Sequence, residues 1–150
     1  MKSEPRSLAG YICFLVHQRE GVAEALRFLD ERMRVDPENP RPHLYAAVLR
    51  TLGGEAVDPK EWRTAMTGFA REHEVAGEVY AATSLGVALC PGKRRCSEES
   101  HALFRHAAEL ARDSGRVDLQ QVAEIFKMKV EFVLDDMDAA EGSRQRLLAL

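Results

Sequence analysis

The chain has 150 residues, 45% of them hydrophobic and 30% charged, with a formal net charge of −3. That length suits one domain with a packed core, and the mildly acidic balance gives no general case for nucleic acid, which asks for a basic face. No apolar run nears the roughly 18–20 residues that cross a bilayer, Tyr11–Val16 is too short for a secretory leader, and three cysteines make no disulfide framework, so a cytoplasmic protein is expected.

Apolar residues recur with the helical period throughout, and no segment alternates convincingly with period two, so eight helices are predicted. The first spans about Ser7 to Gln18, with Leu8, Tyr11, Ile12, Leu15 and Val16 on its apolar side. Gly21 marks a turn. The second spans about Val22 to Val35, with Val22, Ala25, Leu26, Leu29 and Met33 inward, and Asp36-Pro37 stops it, because proline lacks an amide hydrogen and clashes with a preceding helical turn. Pro40 and Pro42 open the third, which ends at Gly53-Gly54, a pair suited to the left-handed backbone of helix C-termini. Asp58 caps the fourth, with Pro59 at its first position and Glu61 three residues after the cap, and Trp62, Met66 and Phe69 face the core. The fifth, about Val75 to Leu89, is rich in small residues that allow close approach of neighbours.

Cys90 to Cys96 reads as a loop. Ser97 caps the sixth helix, with Glu98 and Glu99 where the helix dipole favours negative charge, and Ser114-Gly115 ends it. The seventh, about Asp118 to Leu134, is apolar on most of its circumference, as a helix packed on both sides would be, and the eighth spans Met137 to Leu150. Connections this short join antiparallel neighbours. The helices fall into pairs at roughly 7–35, 42–73, 75–114 and 118–150, within a single domain spanning 1–150.

The pattern resembles the tetratricopeptide repeat family. Ala25, Leu29 and Pro37 match that family's second-helix and closing positions, Leu85-Gly86 matches its first-helix pair, and Ser100, Phe104 and Ala107 fit a further second helix. Phe132 to Glu141 looks like its inter-helix turn. Several signature positions depart from it: Cys13 and Arg32 stand where small residues belong, Lys127-Met128 replaces a Leu-Gly pair, and the Gly54–Lys60 connection is long. The resemblance covers nearly the whole chain and implies an all-α fold of about four antiparallel helix pairs stacked as a right-handed superhelix. Such pairs cannot bury their apolar faces alone and build a recessed binding surface by stacking.

What the resemblance implies for function is a non-catalytic protein–protein interaction module, an adaptor or chaperone-like scaffold holding a peptide or helix of a partner in its concave groove. First helices line that groove, so the candidate partner-binding residues are Phe14, His17, His43, Arg50, Tyr80, Thr83, Lys129 and Phe132. Self-association is the alternative, with Leu147, Leu148 and Leu150 of the C-terminal helix as the contact.

A different class of reading is a metal-binding protein or enzyme using Cys90, Cys96, His101 and His106, four good zinc ligands within 17 residues. The cysteines are spaced more widely than usual, and the histidines, five apart, diverge by about 140° around a helix. The plainer reading makes the cysteines small apolar fillers of a loop and leaves the histidines at a helix surface. Gly53-Gly54 is followed by no Lys-Ser/Thr, no G-x-S-x-G elbow exists, and no base is placed for a serine. No catalytic residue, cofactor or metal is therefore expected.

Overall fold

Four helices begin where a side chain can satisfy the amides that the first turn leaves free. Asn39 Oδ1 accepts from Arg41 N at 3.2 Å, Asp58 Oδ1 from Lys60 N at 2.8 Å, Glu74 Oε2 from Gly77 N at 2.8 Å, and Ser97 Oγ from Ser100 N at 3.1 Å. The computed structural model describes residues 21–90, 96–133 and 137–150. Within them lie α1 (Gly21–Val35), α2 (Pro40–Leu52), α3 (Pro59–Arg71), α4 (Val75–Ala88), α5 (Glu98–Asp113), α6 (Val117–Val133) and α7 (Met137–Leu148), with no strand. The first predicted helix, with Phe14 and His17, lies outside the described residues.

The stops are equally local. After α2 the left-handed position falls on Gly54 (φ 78°) rather than Gly53, and Glu55 N reaches back to Arg50 O at 2.9 Å. His73 takes the same conformation after α3 (φ 56°), where Glu74 N bonds Phe69 O at 3.0 Å. Those two closures are the helix-ending motif that glycine favours, and at His73 a side chain tolerates it.

Each helix packs on the next in sequence, and α4 also touches both α2 and α6. The even-numbered helices therefore lie side by side, with odd-numbered helices packed against them. Glycines set the spacing. A Cβ on Gly68 would lie 2.7 Å from Pro40 Cβ, one on Gly77 2.4 Å from the Phe69 ring, and one on Gly86 2.9 Å from the Phe104 ring. The α2–α3, α3–α4 and α4–α5 contacts each bring a glycine backbone against a ring, closer than any side chain would permit.

The core has two parts. The larger joins α2 to α6 through Leu44, Trp62, Phe69, Val79, Leu85, Leu103, Leu119 and many alanines. The smaller joins α1 to α2 through Ala25, Leu29, Ala46 and Leu49. Two expectations need correction. The enclosed helix is α4, where Gly77, Val79, Ala81, Ala82, Leu85 and Gly86 are all buried. α6, expected to be packed on both sides, is not enclosed: Ile125 is 47% exposed, because α6 has no neighbour on the side away from α5 and α7 that matches α2's place beside α4. Val22, expected inward, is likewise exposed at the start of α1. No helix among the described residues is long and apolar enough to cross a membrane.

Candidate binding face on the even-numbered helices

Each even-numbered helix carries, among its unburied residues, a strip at helical spacing that is largely apolar. On α2 it is Tyr45, Val48 and Leu52, spaced i, i+3, i+7, with Tyr45 half-buried and the other two exposed. On α4 it is Ala76, Tyr80, Ser84 and Val87, spaced i, i+4, i+8, i+11, with Tyr80 and Val87 exposed. On α6 it is Val117, Gln121 and Ile125, all exposed. These spacings hold one side of a helix, and α2, α4 and α6 are neighbours, so the strips belong to adjacent helices. At the α6 end, Arg116 and Asp118 form a two-bond pair, Nε–Oδ1 at 3.2 Å and Nη2–Oδ2 at 2.6 Å. The hydrogen bond from Arg116 holds the Asp118 carboxyl below its ordinary range, and Asp118 in turn raises the guanidinium, which also feels Glu74 and Tyr80.

The residues expected to meet a partner are divided by the structure. Tyr80 stands 44% exposed on the α4 strip. Thr83 is fully buried, its hydroxyl donating to Val79 O at 2.9 Å and lying 3.0 Å from Tyr80 O, so it sits in the core rather than on a binding face. His43 is tied through Nε2 to Pro37 O at 2.9 Å and braces the turn before α2. Arg50 donates to both oxygens of Glu61 at 3.0 and 2.8 Å and to Asp30 Oδ1 at 3.0 Å, fastening α1, α2 and α3 to one another. Its charge is already answered by two carboxylates. Lys129 and Phe132 fall on α6, with side chains outside the described set.

The loop before α5 also differs from expectation. Cys90 and Cys96 are not separate fillers; the ends of α4 and α5 bring their Cα atoms to 4.2 Å and the sulfurs are joined in a disulfide. A disulfide offers no thiolate, so the metal reading loses both its sulfur ligands. His106 is engaged elsewhere, its Nε2 at 2.7 Å from Glu78 Oε1 on α4, and among the described residues no group of His, Cys, Asp and Glu is placed to hold a metal. Glu78 was missed in the sequence; a carboxylate inside a helix otherwise made of small and apolar residues was the available signal. Two turns further along α4, Ser100 Oγ donates to Gly86 O at 2.7 Å across the α4–α5 contact.

No protein-family model, curated protein or solved structure matches the chain.

Proposed function

We propose that the chain is a non-catalytic interaction module, a tetratricopeptide-like right-handed superhelix whose α2–α4–α6 face holds an apolar peptide segment or amphipathic helix of a partner protein. The observation that carries it is the apolar strip repeated on three adjacent helices, through Val48, Leu52, Tyr80, Val87 and Ile125. Exposed apolar surface gathered on one face, with charge at its border, is the composition of a docking surface. Tyrosine and branched aliphatic side chains there give contact area at small entropic cost. Of the residues on which the resemblance rests, Ala25, Leu29, Leu85, Ser100, Phe104 and Ala107 are packed inside and Pro37 is exposed. Phe14, His17, Lys129 and Phe132 remain proposed contacts.

The test is selection from a displayed random-peptide library on the immobilised chain. Enriched peptides should carry apolar anchors and lose binding to Val48→Glu and Tyr80→Glu variants that keep their helical circular dichroism. Peptides held equally by those variants would refute the assignment.

A second reading rests on a different observation. Leu148 is 69% and Leu150 42% exposed at the end of α7, an apolar contact suited to a second copy. Light scattering that shows a dimer in the parent and a monomer in Leu148→Glu would favour it. In the first reading the module works in the cytoplasm.

A further inference from the structure

Away from the apolar strips, α5 and α7 both pack on α6 and leave between them a cleft of about 550 Å³. Arg105 and Arg112 of α5, Glu124 and Lys127 of α6, and Arg146 and Leu150 of α7 line it. A smaller cavity of about 210 Å³ shares Arg105 and Lys127 and extends the cleft toward His101. Along α5, His101, Arg105, Ala108 and Arg112 recur at i, i+4, i+7 and i+11, one side of the helix turned to this trough.

The charges are unequally answered. Arg146 Nε lies 3.2 and 3.3 Å from the Glu124 carboxylate, and its Nη2 donates to Ser143 Oγ at 2.7 Å. Lys127 Nζ stands 3.9 Å from Glu131, which accepts from Ser143 Oγ at 2.6 Å. The side chains of Arg105 and Arg112, both exposed, have no hydrogen bond or ion pair to any described residue. With Glu109, Glu124 and, in the smaller cavity, Glu131 as the carboxylates, the cations Arg105, Arg112, Lys127 and Arg146 still leave the cleft positive on a chain whose net charge is −3.

We propose that this cleft is a second docking site, for an extended acidic peptide segment. Two guanidiniums seven residues apart on a helix are separated by about 10 Å along its axis. A peptide in the polyproline II conformation returns a side chain to the same face every three residues, about 9 Å along the chain, so carboxylates in an acid-x-x-acid pattern meet Arg105 and Arg112 together. Ala108, Ala149 and Leu150 give the two intervening residues an apolar floor. Guanidinium recognises carboxylate in a two-bond geometry that lysine cannot reproduce. Glu109 and Glu124 set the cleft against a nucleic-acid strand, which would carry a phosphate past each of them. The site is independent of the α2–α4–α6 face.

The experiment is fluorescence anisotropy on the full chain with a labelled peptide carrying two glutamates three residues apart and leucine between them. Its glutamine counterpart is the control. The glutamate peptide should bind about tenfold more tightly than the control, and Arg105→Gln/Arg112→Gln should weaken it by about tenfold. Arg105→Lys/Arg112→Lys should recover only part of that loss. Tyr80→Glu should leave the affinity unchanged, which separates this site from the apolar face. Both arginines are exposed, so the glutamine variant should keep the parental unfolding midpoint. Equal affinity for the two peptides, undiminished binding by the glutamine variant, or tighter binding of a single-stranded oligonucleotide through the same arginines would each overturn the proposal.

Discussion

Replacing Gly77 by alanine adds a single methyl group, and the structure gives it no room. Its Cβ would fall 2.4 Å from Phe69 Cδ1, 2.5 Å from Cε1 and 2.6 Å from Cγ. The ring cannot step aside into solvent, because Phe69 is only 2% exposed, with the Arg41 guanidinium 5.6 Å from its centroid. Either α3 and α4 separate or Phe69 leaves its rotamer, and overpacking of this kind costs about 1–3 kcal/mol. Alanine's better helix propensity returns less than about 1 kcal/mol, since Gly77 lies in the first turn of α4. The net loss should be about 1–2 kcal/mol, or roughly 2–8 °C in melting temperature for a chain of this size.

Gly142 on α7 supplies the control. There an added Cβ meets only the end of the Arg146 side chain, at 3.4 Å. Gly142→Ala should therefore stabilise, by up to about 1 kcal/mol. Urea unfolding followed by the fluorescence of the lone tryptophan, Trp62, which is 4% exposed, reads both variants. Phe69→Leu introduced beside Gly77→Ala should restore part of the loss. A Gly77→Ala protein as stable as the parent would refute the argument that glycine sets the α3–α4 spacing.

Arg50→Ala should lower stability by roughly 0.5–1.5 kcal/mol, a half-exposed clamp discounted for solvent, and should leave peptide capture intact in a variant that remains folded; loss of capture at unchanged melting temperature would reverse that assignment. Glu141 accepts from Arg144 at 2.7 Å twice and from Gln145 at 2.7 Å, which lowers its pKa from 4.5 to about 2. A depressed carboxyl favours the folded state above its ordinary pKa, and that contribution fades as pH falls from 4.5 through about 2. Carbon NMR should place its midpoint near 2 and return it toward 4.5 in Arg144→Ala; an ordinary midpoint in the parent would refute the pairing. Alkylation of the denatured protein should label Cys90 and Cys96 only after reduction, and mass spectrometry that finds both labelled beforehand would remove the disulfide.

Helix boundaries were legible because their causes are local. Asp58-Pro59 and Ser97 cap α3 and α5 as their side-chain chemistry dictates, and the Asp36-Pro37 and Gly53-Gly54 breaks fall between helices as expected. What stayed hidden depends on which helices become neighbours. Arg50 carries the same groove-lining signal whether its fork is free or held by Asp30, 20 residues away, and Glu61, 11 away. Thr83 differs from a surface threonine only because α4 is surrounded. The apolar residues spread around α6 suggested enclosure, yet the number of neighbours decides burial, and α4 has more of them. The α5 stripe of Arg105 and Arg112 was readable from spacing alone, although only the cleft beside α7 gives it a purpose.

The two core clusters share no residue, although α2 feeds both, through Leu44 and Ala47 on one side and Ala46 and Leu49 on the other. Among the described residues, detaching α1 therefore exposes little more than Ala25, Leu29 and their few companions, while the assembly from α2 to α6 stays shut. Opening at α1 should be frequent and inexpensive, and opening at α4 should require global unfolding. Amide protons of α1 would then exchange with solvent well ahead of those in α4, the firm centre of the described helices.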